Sequence, residues 1–165
     1  MSMSDLNVDS LRQRRGEKWT QYPPDVLPCW VADMDFEIAQ PIKDAIQQRI
    51  DRSDCGYPVA AQATGLPEIF CERVAERHQW TVTPDQVDLF NDVVQAIYFG
   101  LLALADEGEG VVIQTPIYPP FIGATTETKR RLVLCPLANT VAGYEIDFAQ
   151  MRASIDESTR VLLLC

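Results

Sequence analysis

Gly108-Glu109-Gly110-Val111-Val112-Ile113-Gln114-Thr115-Pro116-Ile117-Tyr118-Pro119-Pro120-Phe121 is the stretch that decides the fold class. Two glycines release the chain into Val111 to Ile113, three β-branched residues in succession. A strand without polar alternation is one buried on both faces, as in a parallel sheet covered by helices on each side. Three prolines then stiffen a loop that leaves the carboxyl end of this strand and carries Tyr118. A rigid aromatic in that place reads as the edge of a cofactor pocket.

The neighbouring segments extend the same pattern. Upstream, a short apolar strand over Val87 to Phe90 meets the polar pair Asn91-Asp92, and Val93 to Ala105 forms a mostly apolar helix. Downstream, Leu132 to Cys135 is a strand, and Asp147 caps a helix through Phe148, Met151 and Ile155. Val161 to Leu164 is another wholly apolar strand, with an open edge expected around Leu162 to Leu164. Nearer the amino terminus, Ile42, Ala45, Ile46 and Ile50 predict a helix over about 41–53. A second begins at Pro67, with Ile69, Phe70, Val74 and Ala75 on its apolar side. Strands alternating with helices predict an α/β fold with a mostly parallel sheet and ligands at the carboxyl ends of its strands. The expected division is 1–55, an arm with the first helix, and 56–165, part of a larger domain.

Composition narrows the function. With 165 residues and 47% hydrophobic content the chain can bury one sizeable core. A formal charge of -10 argues against nucleic acid as partner, and the one basic cluster, Arg12, Arg14 and Arg15, reads as a solvated helix face. No apolar run approaches the roughly 20 residues of a membrane span. Asp5 and Asp9 stand where a signal sequence would be apolar, so a cytoplasmic location is expected. The five scattered cysteines lack metal-site or redox spacings and read as reduced thiols, with Cys29 and Cys55 as small buried hydrophobes. His78, the single histidine, reads as structural.

Four places could carry chemistry. The turn into the Val93 helix leaves backbone N–H groups that favour an anion, with Val93 and Val94 as donors if the Asp92 carboxylate points away, the helix being capped from Asn91 or Asp92. Tyr118 could stack on a flat ring, or pack over the sheet edge. Trp30-Val31-Ala32-Asp33-Met34-Asp35-Phe36 places two acids on one face of an extended run, where capping and solvation are commoner than catalysis. Tyr57, between Gly56 and Pro58, could project from a sharp turn.

Together these segments resemble the cystathionine β-lyase (C–S lyase) branch of the class I/II aminotransferase superfamily, the fold-type I pyridoxal-phosphate enzymes. The resemblance runs from Arg15, Gly16, Lys18 and Trp19 through Leu27 to Phe36, then Gly56-Tyr57, then Gly108 to Tyr118. The Trp-Val-Ala-Asp-Met-Asp-Phe run is its most specific part. The resemblance implies pyridoxal 5'-phosphate as cofactor, its phosphate held by the amides of Asp92, Val93 and Val94 and its ring stacked on Tyr118. It further implies that Tyr57 reaches the phosphate of a neighbouring subunit in a homodimer, and that the backbone of Val31, Ala32 and Asp33 lines the substrate pocket. The implied reaction is β-elimination from cystathionine or a cysteine S-conjugate, giving pyruvate, ammonia and a thiol.

The same resemblance implies that these residues are the amino-terminal part of such an enzyme, from which the Schiff-base lysine is absent. Lys18, Lys43 and Lys129 are the only lysines, and none stands in the family's lysine context. The chain alone is therefore expected to be inactive. An aminotransferase of the same superfamily and a non-catalytic regulatory protein that binds a transcription factor are the alternatives.

Overall fold

The computed structural model describes residues 6–165, so Asp5 lies outside the described residues. The chain divides between Val59 and Ala60 into two compact units.

In the first unit two single-turn helices, α1 (Val8–Leu11) and α2 (Glu17–Thr20), precede the longer α3 (Gln40–Asp51). Asn7 starts α1 by accepting from the amides of Asp9 and Ser10 at 2.9 and 3.4 Å. Pro41 sits in the first turn of α3, where a missing N–H costs nothing. The apolar stripe Ile42, Ile46, Ile50 forms as predicted, but all three side chains are exposed.

The second unit opens with a 3-10 turn (Ala61–Ala63) and α4 (Leu66–His78), which starts after a left-handed Gly65 and ends at a left-handed Gln79. His78 is the exposed last residue of α4. Val87 to Phe90, expected as a strand, follows a second 3-10 turn (Pro84–Gln86) and is not a strand. Val87 itself is extended, but no neighbouring strand pairs with the segment among the described residues.

The remainder is a layered α/β arrangement: α5 (Val93–Leu104), β1 (Gly110–Thr115), α6 (Pro119–Glu127), β2 (Arg131–Pro136), a small antiparallel pair β3 (Ala138–Thr140) and β4 (Gly143–Glu145), α7 (Phe148–Ser154) and β5 (Thr159–Leu163). The main sheet has the order β2-β1-β5, both pairings parallel, with Val112 level with Val133 and Leu162. β1 is thus central, and Val111, Val112 and Ile113 are all fully buried.

The two faces of β1 explain its composition. Val111 and Ile113 join Leu101 of α5 and Ala124 of α6, with Ile97, Phe121, Leu132, Val161 and Leu163 packed around them. Val112 faces the other way, with Val133, Cys135 and Met151 of α7. Asp147 caps α7 through the amides of Ala149 and Gln150. Leu162 and Leu164 are exposed, as expected for the open edge.

The amino edge of the sheet is held by polar contacts. Gly110 donates to the Ser158 carbonyl at 2.8 Å, and Arg131 pairs with Asp156 at 2.8 Å. A Cβ on Gly110 would come within 3.2 Å of the Thr159 Cα, so a larger residue there would crowd the neighbouring strand. Hydrogen bonds from Ser158 and Thr159 hold the Asp156 carboxyl below the usual carboxylate range.

Candidate active site

The amino end of α5 is organised by its own sequence. Asp92, extended at φ -156° and ψ 167°, accepts from the amide of Gln95 at 2.8 Å. The Gln95 side chain returns to the amide of Asn91 at 3.0 Å. The first of these bonds engages the Asp92 carboxylate in capping, and the second is the reciprocal bond from Asn91 to the Gln95 side chain. Val93 and Val94 head the helix, have no carbonyl a turn earlier to bond, and are followed by no acid in the first turn. The helix dipole therefore favours negative charge at this end.

Chain direction sets where that end lies. Ala105 to Glu109 are a five-residue connection from the end of α5 into β1, and with Leu101 and Ile97 both packed beside Val111 and Ile113 the helix runs back along the strand. Its first turn is therefore directed toward the carboxyl end of β1. Tyr118 follows β1 at the same end, at the cap of α6. The expected proline loop is shorter than the sequence suggests, because Pro119 and Pro120 form the first turn of α6. The Tyr118 ring is half exposed and braced edge-on by Phe121, with centroids 6.5 Å apart. The amides that head α5 and the open ring of Tyr118 are thus both directed to the carboxyl end of β1, where a helix terminus suits an anion and an exposed aromatic suits a flat ring.

Val31, Ala32, Asp33 and Tyr57 belong to the first unit. Tyr57 is fully exposed between Gly56 and Pro58. Val31 is half-buried, and Ala32 and Asp33 are exposed. The two acids of this segment separate. Asp33 is open, whereas the Asp35 carboxylate accepts from Lys18 Nζ at 2.7 Å and Trp19 Nε1 at 2.9 Å. Burial of Asp35 opposes its ionised form, but the hydrogen bonds from Lys18 and Trp19 and the charges of Lys18 and Arg14 outweigh it. Its carboxyl is held below the usual carboxylate range.

Two sequence expectations are corrected here. Arg14 is no solvated helix face: its guanidinium donates to the carbonyls of Met34 and Asp35 at 3.3 and 2.8 Å. Cys29 and Cys55 are exposed, and Cys135 is the buried cysteine. The Lys18–Trp19–Asp35 group was not predicted, since its members lie 16 and 17 residues apart in segments without periodicity.

Comparison with known proteins places these observations in a family context. The model of the family described as "Aminotransferase class I and II" matches residues 31–165. Cystathionine beta-lyase PatB of Bacillus subtilis is 31% identical over 169 residues, covering 97% of this chain and 43% of the relative. Cystathionine beta-lyase of Corynebacterium glutamicum is 29% identical over 158 residues, covering 96% of this chain and 41% of the relative. Among solved structures, cystalysin of Treponema denticola, which contains a pyridoxal 5'-phosphate cofactor, superposes with a TM-score of 0.80 at 26% identity, over 92% of this chain and 40% of that one. The chain spans 41–43% of the length of these curated relatives.

Proposed function

We propose, for a chain that belongs to the aminotransferase class I and II family, that the protein carrying it is a cytoplasmic, homodimeric C–S β-lyase dependent on pyridoxal 5'-phosphate. Its substrates are cystathionine or cysteine S-conjugates. Their β-carbon to sulfur bond is broken, and with one water the products are a thiol, pyruvate and ammonia.

The observation that carries this reading is that relatives named cystathionine beta-lyase match 96–97% of this chain, in which an acid-capped helix amino end and an exposed tyrosine both belong to the carboxyl side of β1. The donor chemistry fits the cofactor. The amides of Asp92, Val93 and Val94 hold a phosphate dianion at a helix terminus whose nearest acid is already engaged. Tyr118 offers its ring for stacking on a pyridine. Tyr57 reaches the phosphate from an adjoining subunit, and the Val31 to Asp33 backbone lines the pocket by the substrate carboxylate. When bound, the cofactor supplies an electron sink for charge developing at the substrate α-carbon.

The three lysines are each paired with an acid: Lys18 with Asp35, Lys43 with Glu37 and Lys129 with Glu107. None of them serves as the cofactor-tethering lysine, and these 165 residues alone are inactive. The test is a product assay on the protein expressed from its whole reading frame and loaded with cofactor. Pyruvate and thiol released from cystathionine support a lyase. Amino-group transfer to a keto-acid acceptor without thiol release would make it an aminotransferase instead.

A further inference from the structure

Three successive carbonyls, those of Asp33, Met34 and Asp35, are taken by two cations. Lys18 Nζ donates to the Asp33 carbonyl at 2.6 Å, and Arg14 donates to those of Met34 and Asp35. The Asp35 carboxylate closes the group by accepting from Lys18 and Trp19, and the Lys18 side chain is only 10% exposed. Carbonyls on an open loop are satisfied by water, and withdrawing an ammonium from solvent is costly even when it is paired. Such a group contributes geometry more than stability. In a planar trans peptide the carbonyl and the following N–H point in opposite directions. Holding these carbonyls against Arg14 and Lys18 therefore directs the amides of Met34, Asp35 and Phe36 away from the cations.

We propose that Arg14, Lys18 and Asp35 are positioning residues, which clamp the backbone of 33–35 and so fix the adjoining Val31–Asp33 segment against the carboxylate of the amino-acid substrate. The substrate role rests on the lyase reading above, whereas the clamp stands on the contacts alone. Arg14 and Lys18 are four residues apart, divide three successive carbonyls between them, and meet at one carboxylate, with Arg14 Nη1 3.8 Å and Lys18 Nζ 2.7 Å from Asp35.

The clamp is tested by 15N relaxation on the 165-residue chain, comparing the parent with Lys18→Met and with Asp35→Asn. The asparagine variant keeps the shape and an acceptor for Trp19, so it reports even if the first variant fails to fold. Amide order parameters at residues 33–36 are expected to fall from about 0.85 to below about 0.6, with β1, β2 and β5 unchanged. Order parameters that stay high in both variants overturn the clamp. In the cofactor-loaded protein from the whole reading frame, the variants should raise KM roughly tenfold while kcat and cofactor retention hold. A loosened loop with unmoved KM overturns the positioning role. A parent without turnover overturns the lyase reading and the role with it, while relaxation still decides the clamp.

Discussion

The guanidinium of buried Arg130 reaches the carbonyl of Ala105, the residue that ends α5, across 25 positions of sequence. The same side chain bonds the Thr128 carbonyl at the close of α6. One cation thus serves the negative ends of both helices that cover the same face of β1. Replacing it by methionine keeps the apolar stem and removes the donors, leaving the buried Ala105 carbonyl unpaired. Arg130→Met is expected to lower unfolding free energy by about 1–3 kcal/mol, measured by urea titration. A loss no larger than that of an exposed Arg152→Met control would show that water replaces the guanidinium.

The fold class was legible because burial leaves a direct mark on composition. Val111 to Ile113 lack any polar alternation, and they occupy the strand with neighbours on both edges and helices on both faces. Asp147 was legible as a cap because a short acid before an apolar run bonds the helix's own amides, whereas at α5 Asn91 and Asp92 were equal candidates and Asp92 takes the place. Other features depend on partners that no local pattern names. Val87 to Phe90 has the apolar character of a strand, but character reports a need for burial and supplies no neighbour. Ile42, Ile46 and Ile50 mark a helix face correctly and still lie open. Pro119 and Pro120 suit a helix's first turn as well as a loop, and without a polar cap at Tyr118 the sequence does not separate the two. The grip of Arg14 and Lys18 on Met34 and Asp35 joins two irregular segments, where periodicity carries no information.

Asp35 makes stability depend on pH in a defined direction. Its carboxyl is held below the usual carboxylate range in the folded chain, so the unfolded chain binds its proton first as pH falls. The stability it contributes is complete above the unfolded value of about 3.9 and is lost as pH drops through the lower folded value. The parent should therefore exceed Asp35→Asn in Tm at pH 7, with the gap closing below about pH 4. A gap constant from pH 7 to pH 3 would mean that the charge on Asp35 does nothing for the fold.

Val93 offers a substitution that separates helix stability from anion binding. Proline is favoured at the first helical position, and the preceding Asp92 is already extended, so Val93→Pro should change Tm little. It removes one amide from the proposed phosphate cup. A hydrogen bond to a charged group is worth about 1.5–3 kcal/mol, so affinity for pyridoxal 5'-phosphate should fall roughly 10- to 100-fold. Fluorescence titration of the protein from the whole reading frame reads this directly, and inorganic phosphate as competitor should weaken in parallel. Unchanged affinity in a folded variant would move the phosphate away from α5.

The lysines give the sharpest separation between this chain and a self-sufficient enzyme. A lysine that tethers a carbonyl cofactor must present its amine to the cofactor, free of competing bonds. Lys18 and Lys43 each lie 2.7 Å from a carboxylate oxygen, and Lys129 lies 3.1 Å from one. Incubating the 165-residue chain with pyridoxal 5'-phosphate, reducing with borohydride and mapping peptides by mass spectrometry should yield no stoichiometric label at any of the three. Noncovalent binding through the α5 amides and Tyr118 can persist, because neither needs a lysine, and it should be reversed by dialysis. A single, saturable label on Lys18 would change the assignment more than one elsewhere, since it would break the bonds to Asp33 and Asp35 and turn the clamp into the tether.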